Sequence, residues 1–407
     1  MVNIRYFDFR DLFLSPRSGL SRKKIWVASC GLLLAHLGYA VFTYLARIAT
    51  GMTLGGIWST QGLWPVPSFT QYTWAGWTLQ LMGFGFAGMV LLLAATAVSS
   101  LAYQQFKGDD FFSTGDAWFF ARRRWIALIL APLVIIGLLL LLVVAGLLLG
   151  LIGKIPAIGP LVVAIHMPLA IFFAMVAAFS SLVFFTHFSL GPAIVSTTSG
   201  DAMDVLVQLF SCAWSQPWRF LTYQFLLKLI AVFAVHVLVI FIIAGLWISR
   251  WILSPVMGNS FNQMLQIGYD LARFRCPVTS TTCALASENL GLDLTSRLPA
   301  LQQRCLDTLF AADLTGAGGA VTAGGYLFGA ALFLIIIAVT GYFFATWFSG
   351  QTIVYLILRK HKDGEDLLEY DEEDDWQPVG FGDDEGESGS GSGTGISDTE
   401  SAVPEVE

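Results

Sequence analysis

Three histidines fall inside long apolar runs of this chain: His36, His166 and His236. Imidazole in such surroundings can ligate haem, a pigment or a metal, or it can hydrogen-bond to a neighbouring helix. No two of the three share a run, so none forms the i, i+4 pair that puts two ligands on one helical face. Bonding between helices is the plainer reading, with cofactor ligation a weak candidate. Three cysteines, Cys276, Cys283 and Cys305, lie in one polar segment without a histidine nearby, which does not suit a zinc site. Three thiols allow one disulfide and leave one over, and an oxidising compartment permits the bond. Every Asp and Glu falls outside the apolar runs, whereas proton- and ion-coupled pumps rely on intramembrane acids. Neither a Gly-rich Lys loop, a His-Glu metal motif nor a nucleophile elbow occurs. The expectation is a protein that is not an enzyme and holds no cofactor.

The elements that would position these residues are transmembrane helices. The 407 residues are 56% hydrophobic and 13% charged, with a mean hydropathy of +0.68, against about 25% charged in soluble domains. Six runs reach the roughly 20 apolar residues needed to span hydrocarbon: about 25–47, 76–103, 125–152, 161–190, 220–248 and 326–358. Pro132 and Pro168 fall inside spans, where neighbouring helices re-satisfy the freed backbone groups. The first run lacks a clear cleavage site and reads as an uncleaved span. The predicted fold is all-α and polytopic, with the six spans as three hairpins. It has an N-terminal arm (1–24), a membrane domain (25–362) and an acidic tail (363–407).

Charge orients the spans. The arm carries Arg5, Arg10, Arg17, Arg22, Lys23 and Lys24, and the same side gains Lys107, Arg122, Arg123, Arg124, Arg219, Arg359, Lys360 and Lys362, or 14 bases in all. The other side has seven, five of them in the long loop 249–325. The positive-inside rule therefore places both termini in the cytoplasm. The loop 249–325 is then periplasmic, with helical periodicity over 257–274 and 298–314; "GAGGAVTAGG" (316–325) reads as a flexible connector. Of the 29 acids, 17 lie in residues 363–407, which contain no base. That tail is too poor in apolar residues to fold. Leu367, Leu368, Tyr370 and Trp376 among its acids could dock a cytoplasmic partner. Nothing suggests nucleic-acid binding. Gly146 and Gly150 form a GxxxG pair, and Gly83, Gly85 and Gly88 crowd the second span, permitting close contacts within the chain, with other membrane proteins or in a homo-oligomer.

Two sequence echoes suggest a repeat. Gly-Asp-Ala at 115–117 recurs at 200–202, each time ahead of a Trp and an Arg that open a span. "FFTHFSLGPAIV" (184–195) aligns with "FFATWFSGQTIV" (343–354) without gaps. The implied module is a cytoplasmic amphipathic helix followed by a hairpin, in parallel copies, with the arm as a third. In the clearest copy, Ala202, Val205, Leu206, Leu209, Phe210 and Ala213 form one apolar stripe. Ser199 or Asp201 can cap the helix, and Pro217 ends it. Asp204, Gln208 and Ser211 face away from the stripe. With no base before Arg219, the stripe is expected to pack on the spans rather than on anionic lipid. Asp201, Asp204, Gln208, Ser211, Trp218 and Arg219 are the candidate interaction residues.

The same stretch carries a resemblance. Pro192 to Val195, Asp201, Ala202, Ser211, Trp218 and Arg219 resemble the signature of poorly characterised bacterial six-span proteins related to the membrane domain of glycerophosphodiester phosphodiesterases. The resemblance implies a membrane scaffold domain, since phosphodiesterase chemistry in such proteins belongs to a separate soluble domain that these residues do not contain. Three functions follow as expectations. The first is a structural, scaffold or accessory protein of the bacterial envelope, in contact with the lipid bilayer. The second is a passive transporter or channel for a lipid or small solute, and the third a haem- or pigment-binding subunit of a redox or photosynthetic complex.

Overall fold

The computed structural model describes residues 4, 6–67, 72–109, 111–156, 158–272, 308–310, 312, 314–364 and 367–368. Contacts divide the chain into Met1–Glu369 and Tyr370–Glu407, the second lying outside the described residues. Among the described residues every regular element is helical.

Six helices are long and apolar enough to cross a membrane. They are α2 (Arg22–Ile48), α4 (Trp74–Lys107), α6 (Trp125–Ile152), α7 (Gly159–Thr198), α9 (Pro217–Met257) and α11 (Gly319–Asp363). Five shorter helices join or flank them: α1 (Ser15–Gly19), after a 3₁₀ turn at Phe9–Leu14, α3 (Leu54–Gln61), α5 (Thr114–Arg123), α8 (Ala202–Ser215) and α10 (Asn259–Ala272). α6 shows why the long helices need a membrane. It is apolar around its whole circumference, and from Ile136 to Ile152 its large side chains stay open to the surroundings. A helix of that kind is stable in a protein core or in lipid, and beyond Ile136 protein covers only part of its circumference.

The core lies where α4, α7 and α11 pack against one another, and it fills only one half of each. Its buried residues run from Val90 to Phe106 on α4, from Ser180 to Thr197 on α7 and from Gly341 to Leu358 on α11, while Gly83 of α4 is buried against α2 and Gly325 and Gly329 of α11 against α10. Ala97, Ala102, Ala193 and Ala345 are buried in this core. Small side chains let helix backbones approach, which is how helices associate where lipid supplies no hydrophobic drive. At Gly350 an added Cβ would overlap the Leu227 side chain of α9. α2 lies along α4, α6 along α7, and α9 and α10 along α11.

Two segments depart from the sequence reading. The connector expected at 316–325 is helical from Gly319, because Gly325 and Gly329 let α11 cross α10 at Gly268. The added packing outweighs the intrinsic helix cost of glycine. The fourth span was expected to stop near residue 190, yet α7 continues through Pro192 to Thr198. Leu190 to Val195 are fully buried there, so packing holds a helix that a proline alone would weaken. α10 covers the first helical stretch expected in the long loop, while the second, 298–314, lies almost wholly outside the described residues.

Candidate functional site

The histidines do not converge. His36 Nε2 lies 2.9 Å from the Leu63 carbonyl, and its ring packs on Trp64 and Phe333 with centroids 4.7 and 5.5 Å away. His166 and His236 each bond a carbonyl one turn back in their own helix, Val162 and Val232. His187, given no role from sequence, is fully buried with Nε2 3.0 Å from the Leu128 carbonyl of α6. Among the described residues no three His, Cys, Asp or Glu side chains gather as a metal site would require. Cys276, Cys283 and Cys305 lie outside the described residues.

The polar side chains that do converge sit where the short helices meet the buried ends of α4, α7 and α11. α8 is set by its ends: Asp204 Oδ2 accepts the Asp201 N–H at 3.1 Å, and Pro217 occupies the first turn of α9, a position proline favours. Its buried face is Ala202, Val205, Leu206, Leu209 and Ala213 together with Cys212, and Phe210 is half-buried against Phe179. Burial pushes the Cys212 thiol up to about 11, which Arg359 and Lys362 offset only in part. On the opposite face Gln208 is not left to water: its Oε1 accepts from Arg359 Nη1 at 2.7 Å. Arg359 also pairs with Asp363 at 2.9 Å. Ser211 is half-buried, whereas Asp201, Asp204, Trp218 and Arg219 are exposed. The six candidate residues thus divide into a capping pair (Asp201 and Asp204), Gln208 anchored to α11, a half-buried Ser211 and an exposed Trp218–Arg219 edge.

Two further polar contacts had no sequence signal. Lys24, counted from sequence among the arm's bases, is 1% exposed. Its Nζ donates to Ser18 Oγ at 2.5 Å and to Gln105 Oε1 at 2.6 Å, and lies 5.6 Å from the Phe106 ring. It ties α1 to α2 and α4. Gln224 of α9 and Gln351 of α11 exchange side-chain amide bonds at 2.8 and 2.7 Å. An amide facing an amide across two helices satisfies both, but neither partner is marked until the helices are docked. At the start of the acidic segment, Leu367 and Leu368 pack on the main core, and Tyr103 Oη donates to the Leu367 carbonyl at 2.9 Å. Two of the four residues expected to dock a partner therefore touch this chain itself. Tyr370 and Trp376 lie outside the described residues.

The Gly-Asp-Ala echo changes meaning in three dimensions. Ser113 caps α5, with its Oγ accepting the Asp116 N–H at 3.2 Å and Asp116 Oδ2 accepting the Ser113 N–H at 3.3 Å. Asp116 is thus the third residue of α5, whereas Asp201 precedes the first residue of α8. By capping position Asp116 corresponds to Asp204. The later echo keeps its register: His187 and Thr346, Ile194 and Ile353, and Val195 and Val354 are each fully buried pairs.

No family model matches the chain, and no curated protein or solved structure matches it either.

Proposed function

We propose that this chain is a non-catalytic, multi-pass protein of the bacterial inner membrane that acts as a scaffold or accessory subunit. Both termini are cytoplasmic in this reading. One observation carries it: a few polar side chains, buried or half-buried, join helix to helix in the described bundle. Lys24 ties the arm to α4, Gln224 ties α9 to α11, and Arg359 ties α8 to α11. Groups held in fixed mutual bonds make a rigid frame rather than a solute path. The exposed Trp218 and Arg219 and the acidic segment after Asp363 are then the parts offered to partners.

The same reading orders the helices as three parallel hairpins, α2–α4, α6–α7 and α9–α11, each preceded by a short cytoplasmic helix. Three facts support it. The second helix of each pair forms the core. Each such helix ends in a left-handed residue: Gly108, Ser199 and Gly364. The short helices α5 and α8 pack back on the hairpin before them, and α1 closes the circle on α9 and α11. The resemblance to six-span domains associated with glycerophosphodiester phosphodiesterases agrees with a scaffold role.

The test is affinity purification of the full chain from native membranes, beside a chain lacking residues 363–407. Specific membrane-protein partners that vanish with the truncation are the expected result. Downhill solute flux in vesicles carrying the purified chain, with no partner retained, would replace the scaffold with a passive carrier.

A further inference from the structure

A cavity lies away from these polar ties, between α9, α10 and α11. It holds about 240 Å³. Val239, Ile243 and Leu246 form its α9 wall, and Ile336 and Thr340 its α11 wall. Tyr269 of α10, stacked on Phe310 at 4.6 Å between centroids, closes one end. Thr340 and Tyr269 carry the hydroxyls of this lining, and the Thr340 Oγ1 already donates to the Ile336 carbonyl at 2.8 Å. So apolar a wall offers little to a polar solute. An empty apolar cavity stays dry and forfeits dispersion contacts along its lining. A helix, at 10–12 Å across with its side chains, is too thick for this space, whereas a single hydrocarbon chain is not. Because both walls belong to membrane-crossing helices, hydrocarbon is the neighbouring material.

A charge stands at one end of the same wall. Val239, Ile243, Leu246 and Arg250 follow one another at four, three and four residues along α9, the spacing that keeps side chains on one face. Arg250 therefore lies one turn beyond the cavity. Its Nη1 donates to the Thr308 carbonyl at 3.3 Å and to the Leu309 carbonyl, and no carboxylate among the described residues pairs with it. These neutral acceptors position the guanidinium and leave its charge uncompensated, which suits a phosphate.

We propose that this groove holds one acyl chain of an anionic phospholipid, with the headgroup phosphate against Arg250. Shape and hydrocarbon lining admit the chain, and Arg250 selects the headgroup. The proposal goes beyond the scaffold reading and does not depend on it.

The experiment uses the full chain in vesicles of phosphatidylcholine and phosphatidylglycerol, with a trace of either lipid carrying a photoreactive chain. After irradiation, adducts are mapped on peptides. The phosphatidylglycerol probe is expected to label 239–246 and 336–340 in excess over 140–148 of α6, which is exposed but lines no cavity. Excess unlabelled phosphatidylglycerol should abolish that excess, while phosphatidylcholine should not. Ile243→Trp, which fills the groove, should remove labelling from 336–340, and Arg250→Gln should make the two probes equivalent. Labelling no stronger than on α6, equal competition by both lipids, or crosslinks from these peptides to a second copy of the chain would each overturn the proposal. If Ile243→Trp fails to insert, the competition and Arg250→Gln arms still decide.

Discussion

Arg359 reaches back from the end of α11 to Gln208 on α8, Nη1 to Oε1 at 2.7 Å, while its Nε faces Asp363 Oδ2 at 2.9 Å. One guanidinium thus fixes a short surface helix and the last turn of a core helix together. A hydrogen bond to a charged group contributes about 1.5–3 kcal/mol. Gln208→Ala is expected to lower stability by about that amount, read as a reduced thermal midpoint in detergent. Arg359→Met should cost more, since it frees Asp363 as well. An unchanged midpoint in both would mean that the bond contributes nothing net.

Lys24 behaves differently because its partners are neutral. Leaving a buried polar group unpaired costs about 1–3 kcal/mol, and more for a charged one. Lys24→Met, which leaves Ser18 and Gln105 without their donor, should therefore destabilise moderately, and Gln105→Leu, which leaves the ammonium with Ser18 alone, should be the more damaging change. Expression and monodispersity on size exclusion separate the two, and the reverse ranking would contradict this account.

Ser199 ends α7 at φ 49°, ψ 21°, the left-handed region where glycine serves the other two core helices. A non-glycine residue there carries about 1–2 kcal/mol of strain, of which serine's local hydrogen bonding relieves a part. Ser199→Gly should raise the thermal midpoint and Ser199→Val should lower it.

Cys212 supplies a pH dependence with a definite sign. Burial raises its thiol from an unfolded value of 9.0 to about 11. Between these values the unfolded chain binds fewer protons at this position than the folded one, so stability falls as pH rises through that window. Below about pH 9 both states are protonated and the group contributes no slope. Alkylation of Cys212 should be slow at neutral pH, as expected of a buried thiol without thiolate character. Cys212→Ser should remove the alkaline part of the stability profile. A slope that survives the substitution belongs to another group.

Tyr103→Phe deletes the hydroxyl that holds the Leu367 carbonyl. The body of the bundle should keep its melting behaviour, while limited proteolysis cuts faster at Leu367–Leu368. Equal cutting rates would show that the two leucines hold this segment by packing alone.

The long helices were legible because a run such as Trp125–Gly153 carries no charge over more than the roughly 20 residues that a span needs. The stripe on α8 was legible because its period of 3.6 is a local property. What packing decides was not. Nothing beside Lys24 in the sequence marks it off from Arg22 and Lys23, and its burial depends on Ser18 and Gln105, which α1 and α4 bring from either side. Gln224 and Gln351 find each other across 127 residues. The glycines before the last span looked like a hinge because their value as crossing points depends on Gly268 of α10. Gly-Asp-Ala misled in another way: its two copies match in letters but differ by three residues in capping register.

The core fills only one half of α4, α7 and α11, and these helices are long. At 1.5 Å per residue the 45 residues of α11 extend for roughly 65–70 Å, about twice the thickness of a bilayer's hydrocarbon. The gripped halves fix the three helices at one end, and the far lengths of α6 and α7 touch little of the described chain beyond each other. A thicker or thinner membrane is then met by a change of tilt in those unclamped lengths, at a fraction of a kcal/mol per Å. Bilayers of different thickness are then expected to be met by this one hairpin, without disturbing the joint where α4, α7 and α11 meet.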